Sequence, residues 1–399
     1  MLRQASALLC GLWFITGLHA AEFDSAKLAA IQGRMQRFVD EGQIAGGVYV
    51  IGTSQGVIAQ AAIGAKNVAR NEPMPVDALF RIASMTKPIT AAGIMILVDE
   101  KKLAIDDPVE KYLPEFKRQM VVVERSGDKV TLQPASRPIT IKDLCTHTSG
   151  MANFGPGLAD IYQSRKHTLA EMTLACSQRP LDFEPGAKWA YCNPGIDTLG
   201  RIIEVVSGKT YEAFLQERIF TPLGMNDTAP YLDEKNKSRL ATLYNLKGGK
   251  LVDEGWTLIG PTEGAKHPIP AGGLISSAAD IAKFSQAMLL RGELNGQRIL
   301  SADAVRVMTS NHTGELKAGF TPGVAMGLGW QLVREPQGPT ATLSPNAFGH
   351  GGAFGTQYWI DPTRDVFMIL LIQRSGLANG DASEMRVELQ KAAIDALKS

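Results

Sequence analysis

The chain has 399 residues, of which 45% are hydrophobic and 20% are charged. These values are typical of a globular protein with a sizeable core, built as one large or two modest domains. Lys and Arg together number 41 against 40 acidic residues and form no basic stripe, so nothing indicates a nucleic-acid partner.

The N-terminus has the pattern of a secretory signal peptide. Arg3 supplies a positive charge, residues 5–18 are almost wholly apolar, and small and then polar residues follow from Ala20. We expect residues 1–20 to be removed on export to the bacterial periplasm, although Leu18 leaves the cleavage position open. An uncleaved anchor is the alternative, but the run is short for a membrane span. No obligatory membrane partner is predicted.

Four cysteines occur, and Cys10 lies in the predicted signal peptide. The other three allow at most one disulfide among Cys145, Cys176 and Cys192, and buried free thiols are the default expectation. Neither the cysteines nor the six histidines have the spacing of a metal site. The sequence therefore predicts no metal and no cofactor.

In chain order, the hydrophobic patterns predict helices and strands that change in type along the chain. The N-terminal third is predicted to hold a helix at residues 25–40, which Ser25 caps, and a hairpin at 46–51 and 57–63. The helix that follows Ser84 comes next, and a second hairpin is predicted at 121–123 and 130–132. Helices dominate from about 139 to 224, at residues 141–144, 168–176, 194–206 and 211–220. The last third is predicted to hold a helix, two strands and a closing helix, at residues 278–290, 355–360, 366–372 and 383–397.

Strands therefore lie at both ends of the chain and helices lie in the middle. We predict an α+β fold, with an antiparallel sheet built from N- and C-terminal segments, flanked by helices, and an inserted mainly helical domain. The predicted sheet domain comprises residues 21–110 and 265–399, and the inserted domain comprises 111–264. A cleft between the two is where a ligand site is expected.

The stretch that contains Ser84 and Lys87 is the first candidate for chemistry. In a helix, residues three apart lie one turn apart on one face, and an apolar run follows this pair. A serine needs a base to become a nucleophile, and a lysine is such a base only when burial or nearby positive charge holds it neutral. A helix-capping serine followed by a surface lysine is the alternative interpretation.

Two further stretches supply what an acylating serine needs. Tyr191 precedes a predicted helix, where a phenol near a lysine would ionise more easily and accept the serine proton, and Asn193 offers an amide to a substrate carbonyl. The glycine-rich residues 348–353 lie directly before a strand, and the backbone N–H groups of Ser84 and Ala353 are candidates for an oxyanion hole. A flexible hairpin loop is the alternative for 348–353.

The motifs S-x-x-K, Y-x-N and H-G-G, in this order, resemble those of the class C β-lactamase-like serine hydrolases. This clan includes family VIII carboxylesterases, class C β-lactamases and serine DD-peptidases. Residues 144–150 (LCTHTSG), 222–225 (PLGM) and 271–274 (AGGL) are also similar to the class C branch, so the resemblance covers nearly all of the mature chain.

This resemblance implies a β-lactamase/transpeptidase-like fold and a set of site residues. The resemblance implies that Ser84 is the nucleophile, Lys87 its base and Tyr191 a second proton shuttle. It also implies that the Asn193 amide binds substrate, and that a strand formed by His350, Gly351, Gly352 and Ala353 binds substrate and contributes to the oxyanion hole. His147, before Gly150, is interpreted as structural. Trp189 and Phe154 either line the cleft or pack in the core or at its rim.

One departure from the clan bears on the substrate. His350 stands where β-lactamases carry a lysine that holds the substrate carboxylate, and an unperturbed histidine is mostly neutral at pH 7. Gly351 also lacks the hydroxyl of the usual threonine. We therefore favour a carboxylesterase acting on short-chain esters over a β-lactamase or a D-Ala-D-Ala carboxypeptidase or D-aminopeptidase. A non-catalytic relative that binds cell-wall fragments is the alternative of another class. The sequence leaves the natural substrate and the oligomeric state open.

Overall fold

The computed structural model of the protein describes residues 21–153, 158–159, 164–255 and 264–398. The predicted signal peptide, residues 1–20, and Phe154 lie outside the described residues. Within them, no helix is both long enough and apolar enough to cross a membrane.

The α-helices whose bounds fall within the described residues are α1 (Ser25–Asp40), α2 (Thr86–Asp99), α3 (Ile141–Cys145), α4 (Leu169–Ser177), α5 (Asn193–Ser207), α6 (Tyr211–Leu215), α7 (Thr221–Leu223), α8 (Ala278–Leu289), α9 (Ala302–Met308) and α10 (Glu384–Asp395). The strands are β1 (Gly46–Thr53), β2 (Gly56–Asn67), β3 (Glu72–Pro73), β4 (Leu79–Arg81), β5 (Met120–Ser126), β6 (Lys129–Pro134), β7 (Tyr244–Lys247), β8 (Lys250–Asp253), β9 (Ile275–Ser277), β10 (Glu293–Leu294), β11 (Gln297–Arg298), β12 (Val324–Met326), β13 (Gln331–Val333), β14 (Phe348–Gly351), β15 (Gln357–Asp361), β16 (Val366–Ile372) and β17 (Arg374–Ser375).

Eight of these strands form the main sheet, in the order β12-β13-β14-β15-β16-β1-β2-β3. The N-terminal strand β1 pairs antiparallel with the C-terminal strand β16, so that Gly47 lies opposite Ile372 and Gly52 lies opposite Phe367. The predicted fold class is confirmed, because N- and C-terminal segments build one antiparallel sheet with helices around it. The bounds of the sheet domain and the inserted domain stay predictions.

Both faces of the sheet are covered. Successive side chains of a strand point to opposite faces, and Tyr49 of β1 joins an apolar cluster with Phe38 of α1 and Leu389 of α10. Its neighbour Val50 points the other way and joins a larger cluster that includes Ile94 of α2. Strand β1 is therefore buried along its whole length.

Helix α2 is buried all round, since every residue from 86 to 97 is buried. Gly93 lets the helix pack closely, because a Cβ atom there would lie 2.8 Å from Ile203 Cδ1 of α5. The Thr90 hydroxyl lies 2.6 Å from the Tyr211 hydroxyl and donates to the Pro270 carbonyl at 2.7 Å. The helix is thus fixed on both sides, which sets the position of the residues at its N-terminus.

Several local predictions differ from the structure. Asp24, rather than Ser25, caps α1, and its Oδ1 accepts hydrogen bonds from the N–H groups of Ala26 and Lys27. The hairpin β7–β8, strands β12 and β13 and helix α9 were not predicted, because three to seven residues are too few to show a period. Residues 348–351 of the glycine-rich stretch form strand β14, paired with β13 and β15, and only Gly352 and Ala353 lie in the turn that follows. Cys145, Cys176 and Cys192 are buried free thiols.

The glycine in β14 yields a prediction about stability. A Cβ atom on Gly349 would lie 2.4 Å from Trp359 Cδ2 and 2.4 Å from the Tyr358 carbonyl oxygen. We expect Gly349→Ala to lower the free energy of unfolding, measured by urea denaturation, by about 1–3 kcal/mol.

The matched control is Gly33→Ala, in α1. Nothing lies within 4 Å of a Cβ atom at that position, and alanine favours the helix over glycine by about 0.5–1 kcal/mol. This variant should be slightly more stable than the wild type. Equal losses at the two positions would contradict the assigned role of Gly349.

Candidate active site

Ser84 lies in a strained turn that leads into α2. The preceding residue, Ala83, has a φ of 46°, which is an unfavourable conformation for a residue with a Cβ atom. The turn is fixed from two sides, since Thr86 Oγ1 donates to the Ala83 carbonyl at 2.7 Å and Thr356 Oγ1 donates to the Ile82 carbonyl at 3.1 Å. These bonds fix Ser84 where its half-buried side chain faces a cavity.

Lys87 lies one helical turn further on and is completely buried. Its Nζ donates to Ser84 Oγ at 3.0 Å, to Asn193 Oδ1 at 2.8 Å and to the Ala271 carbonyl at 2.7 Å. Burial lowers the pKa of the amine to about 7, although the carboxylate of Asp197 partly opposes this shift. The alternative of a surface lysine is therefore wrong.

The three contacts of Lys87 suit a general base. A neutral amine has two N–H donors and one lone pair. Asn193 Oδ1 and the Ala271 carbonyl can only accept hydrogen bonds, so they hold the two N–H groups. The lone pair is then directed at Ser84 Oγ, where it can accept the hydroxyl proton.

Tyr191 completes the set of polar contacts around Ser84, because its hydroxyl donates to Ser84 Oγ at 2.7 Å. Lys87 Nζ lies over the ring, 4.6 Å from its centroid. Burial is the largest influence on the phenol and raises its pKa. The prediction that Lys87 makes Tyr191 ionise more easily is wrong. Tyr191 stays protonated and is a proton donor in the resting site.

An aromatic cluster holds Tyr191 in place. The His147 ring lies 4.6 Å from the Tyr191 ring, and the Phe320 ring lies 4.9 Å from it in an edge-to-face arrangement. Trp189 packs edge-to-face on Phe320 at 5.5 Å. His147 Nδ1 accepts a hydrogen bond from the Cys192 N–H at 3.2 Å, and burial keeps the pKa of the ring well below its usual value. His147 is thus a neutral support for Tyr191.

His350 is also neutral. Its Nδ1 donates to the Gly351 carbonyl at 2.7 Å, which identifies the tautomer because a carbonyl can only accept. Burial and, to a smaller extent, the charge on Lys87 lower the pKa of His350 to about 4. At pH 7 the imidazole therefore carries no charge with which to hold a substrate carboxylate.

These groups border a cavity of about 320 Å³. Of the predicted site residues, six line it: Ser84, Tyr191, His350, Gly351, Gly352 and Ala353. Lys87 and Asn193 are not among the lining residues, and Asn193 uses its carbonyl oxygen on Lys87. A Cβ atom on Gly352 would lie 2.4 Å from the Ile82 carbonyl oxygen, so only glycine allows this close approach to the Ser84 turn.

Sequence reasoning missed some lining residues, notably Phe320 and Asp381. Both lie on connecting segments whose sequences match no motif, and each reaches the cavity only through the tertiary fold. The Asp381 carboxylate accepts hydrogen bonds from Gln357 Nε2 at 3.2 Å and from Gln331 Nε2 at 3.4 Å. The described chain contains no group of three His, Cys, Asp or Glu side chains that could hold a metal ion.

Comparison with known proteins agrees with this geometry. The beta-lactamase family profile matches residues 31–393. Protein Rv1367c of Mycobacterium tuberculosis (strain ATCC 25618 / H37Rv) is 33% identical over 374 residues, which cover 88% of this chain and 91% of that protein. Esterase EstB of Burkholderia gladioli is 26% identical over 378 residues, which cover 88% of this chain and 92% of that protein.

A solved structure described as EstCE1, a hydrolase with promiscuous acyltransferase activity, has the same fold. Its TM-score with this chain is 0.77 at 24% sequence identity, and the match covers 93% of this chain and 98% of that one. The resemblance inferred from the motifs is thereby confirmed. Members of this family are serine hydrolases. Since the family profile spans nearly the whole described chain, this chain belongs to the beta-lactamase family.

Proposed function

We propose that the protein is an exported serine hydrolase that forms an acyl-enzyme on Ser84 and acts on short-chain carboxylic esters. The observation that carries this proposal is the contact of Ser84 Oγ with both Lys87 Nζ and the Tyr191 hydroxyl, at 3.0 and 2.7 Å. A serine hydroxyl in contact with a buried amine can lose its proton to that amine, and a phenol in contact with the same oxygen can pass a proton to the leaving group.

Acylation follows from these contacts. Lys87 Nζ takes the proton of Ser84, and Oγ bonds to the ester carbonyl carbon. The backbone N–H groups of Ser84 and Ala353 receive the negative charge on the carbonyl oxygen. Tyr191 gives a proton to the departing alcohol oxygen and regains one from Lys87. Water then attacks the acyl-enzyme and releases the acid by the same steps in reverse.

The choice of esters over β-lactams and D-Ala-D-Ala peptides rests on charge. Those alternative substrates carry a carboxylate, which needs a cation or strong donors in the site. His350 is neutral, Gly351 has no hydroxyl, and no Lys or Arg is among the described residues that line the cavity. Similarity to an esterase, EstB, also favours this choice.

Covalent labelling tests the nucleophile. Incubation with a fluorophosphonate should add one adduct in the intact mass spectrum, and Ser84→Ala should abolish it. The same spectrum, taken on protein from the native host, should show a chain that begins near Ala21 if the protein is exported. An unlabelled wild-type protein would overturn the acyl-enzyme, and an unprocessed N-terminus would overturn export.

A substrate panel tests the reaction. We expect a higher kcat/KM for p-nitrophenyl acetate or butyrate than for nitrocefin or a D-Ala-D-Ala peptide, because the site lacks a carboxylate anchor. Nitrocefin turnover far above ester turnover would identify a β-lactamase instead. Labelling without turnover of any member of the panel would contradict the hydrolase and favour a cell-wall-fragment binder.

The pKa of Lys87 predicts a pH dependence. Lys87 is a base only when deprotonated, so kcat/KM for the ester should rise about tenfold per pH unit below pH 7 and level off above it. Lys87→Ala should lower kcat/KM by about 10²–10⁴ and remove this rise. The control is Lys129→Ala, at an exposed position of β6. A flat wild-type profile between pH 5.5 and 8.5 would exclude Lys87 as the base.

Tyr191→Phe tests the proton relay. The substitution removes the hydroxyl bonded to Ser84 but keeps the ring that packs on His147 and Phe320. We expect kcat for p-nitrophenyl butyrate to fall by about 10²-fold or more, with little change in the melting temperature. The drop should be smaller for p-nitrophenyl esters than for ethyl esters, because p-nitrophenolate leaves without a proton. Equal drops for both would contradict the relay to the leaving group.

A further inference from the structure

Asp381 introduces a carboxylate into the cavity that contains Ser84. We propose that this carboxylate selects esters that bear a protonated amine a few bonds from the scissile carbonyl, and rejects esters that bear a second carboxylate. This inference rests on the proposed esterase function and names its substrate class. It follows from where Asp381 lies, how it is held and what faces it.

Asp381 occupies the space that a side chain on Gly351 would need. A Cβ atom on Gly351 would lie 2.2 Å from Asp381 Oδ1 and 2.3 Å from Gln357 Nε2. The threonine that the clan usually has at this position would present a hydroxyl donor. Here a carboxylate, which accepts hydrogen bonds, lies beside the same strand. This side of the cavity therefore favours a ligand that donates hydrogen bonds over one that accepts them.

The carboxylate is held firmly from the protein interior. Gln357 Nε2 donates to Oδ1 at 3.2 Å and Gln331 Nε2 donates to Oδ2 at 3.4 Å, and both glutamines are buried. Arg386 Nη1 lies 3.9 Å from Oδ1, and this arginine is only 1% exposed. An ionised carboxylate accepts about four hydrogen bonds. Each oxygen therefore keeps acceptor capacity for a donor that enters the cavity.

No other described residue that lines the cavity carries a charge. His350 is neutral, and Lys87 is buried behind Ser84, where its Nζ contacts Ser84 Oγ, Asn193 Oδ1 and the Ala271 carbonyl. Arg386 offsets Asp381 from the interior but is not among the residues that line the cavity. Within the described lining of the cavity, a ligand thus finds one carboxylate and no Lys or Arg side chain.

Aromatic groups in the same cavity also suit an ammonium ion. Phe320 lines the cavity with 41% of its surface exposed, and it packs on Tyr191, which lines the cavity as well. Asn379 Nδ2 donates to the Phe320 carbonyl at 3.0 Å, which ties the segment before Asp381 to the Phe320 segment. A carboxylate together with aromatic rings is a favourable environment for a protonated amine.

Matched esters test the inference on the acyl side and on the alcohol side. On the acyl side, ethyl β-alaninate, ethyl butanoate and monoethyl malonate carry a cation, no charge and an anion at the same position. On the alcohol side, 2-(dimethylamino)ethyl acetate, whose amine is mainly protonated at pH 7.5, and 3-methylbutyl acetate have the same shape and differ in charge. Hydrolysis is followed in a pH-stat at pH 7.5, and each kcat/KM is divided by the rate constant for hydroxide-catalysed hydrolysis.

We expect the corrected kcat/KM of the cationic ester to be higher than that of its neutral or anionic partner, by a ratio of about ten or more in at least one series. In Asp381→Asn this ratio should fall to within about twofold to threefold of unity. Asp381→Glu should retain part of the ratio. The control Asp303→Asn makes the same change of charge at an exposed position outside the cavity and should keep the wild-type ratio.

A second readout does not require turnover or a stable variant. Trimethylammonium should slow fluorophosphonate labelling of wild-type Ser84 at lower concentrations than acetate does. Equal or better turnover of monoethyl malonate, or better protection by acetate, would overturn the inference. If neutral esters are hydrolysed without any charge preference, only this inference fails. If no ester is hydrolysed although Ser84 is labelled, the proposed esterase function fails, and the protection experiment still decides the charge preference of the cavity.

Discussion

The burial of the Lys87 amine is the constraint on which the rest of the site depends. The pKa of about 7, against an ordinary value of 10.5, corresponds to a cost of about 5 kcal/mol for charging the amine in place. The described groups in hydrogen-bonding contact with it come from three separate parts of the chain, namely Ser84, Asn193 and Ala271. If Asn193 or Ala271 no longer accepted a hydrogen bond, the amine would either admit water, which raises its pKa, or turn its lone pair away from Ser84. In either case Ser84 would lose its proposed base.

The same requirement explains why the nucleophile lies at the meeting point of sheet and helices. Helix α2 is buried on all sides and packs on α5, whose first residue is Asn193. Strand β14 brings Gly352 against the turn before Ser84, and the strained Ala83 is held there by hydrogen bonds from Thr86 and Thr356. The packing that stabilises the fold therefore also positions the reactive groups, so that a small shift between sheet and helices would separate them.

Electrostatics of the cavity depart from what residue types alone indicate. Tyr191 near a lysine was expected to ionise easily, yet burial raises its pKa, because desolvation outweighs a lysine that is itself close to neutral. His350, which would be partly protonated near neutral pH in water, is neutral for the same reason. Asp381 is then the only charged side chain among the described residues that line the cavity, although no motif contains it. The proposed preference among substrates therefore depends on burial and on a segment distant in sequence.

The sequence by itself determined the fold class and the candidate reacting groups, because long periodic segments and spaced motifs can be recognised without knowledge of contacts. Ser84, Lys87 and Tyr191 could be selected in this way, and so could the pairing of terminal strands into one sheet. Short elements such as β12 and β13 left no period to detect. Only the tertiary structure decided which groups are charged, what Lys87 bonds to, and that Phe320 and Asp381 line the cavity. These properties depend on desolvation and on tertiary packing that brings residues as distant in sequence as Ser84 and Asp381 to one cavity, which a local pattern does not contain.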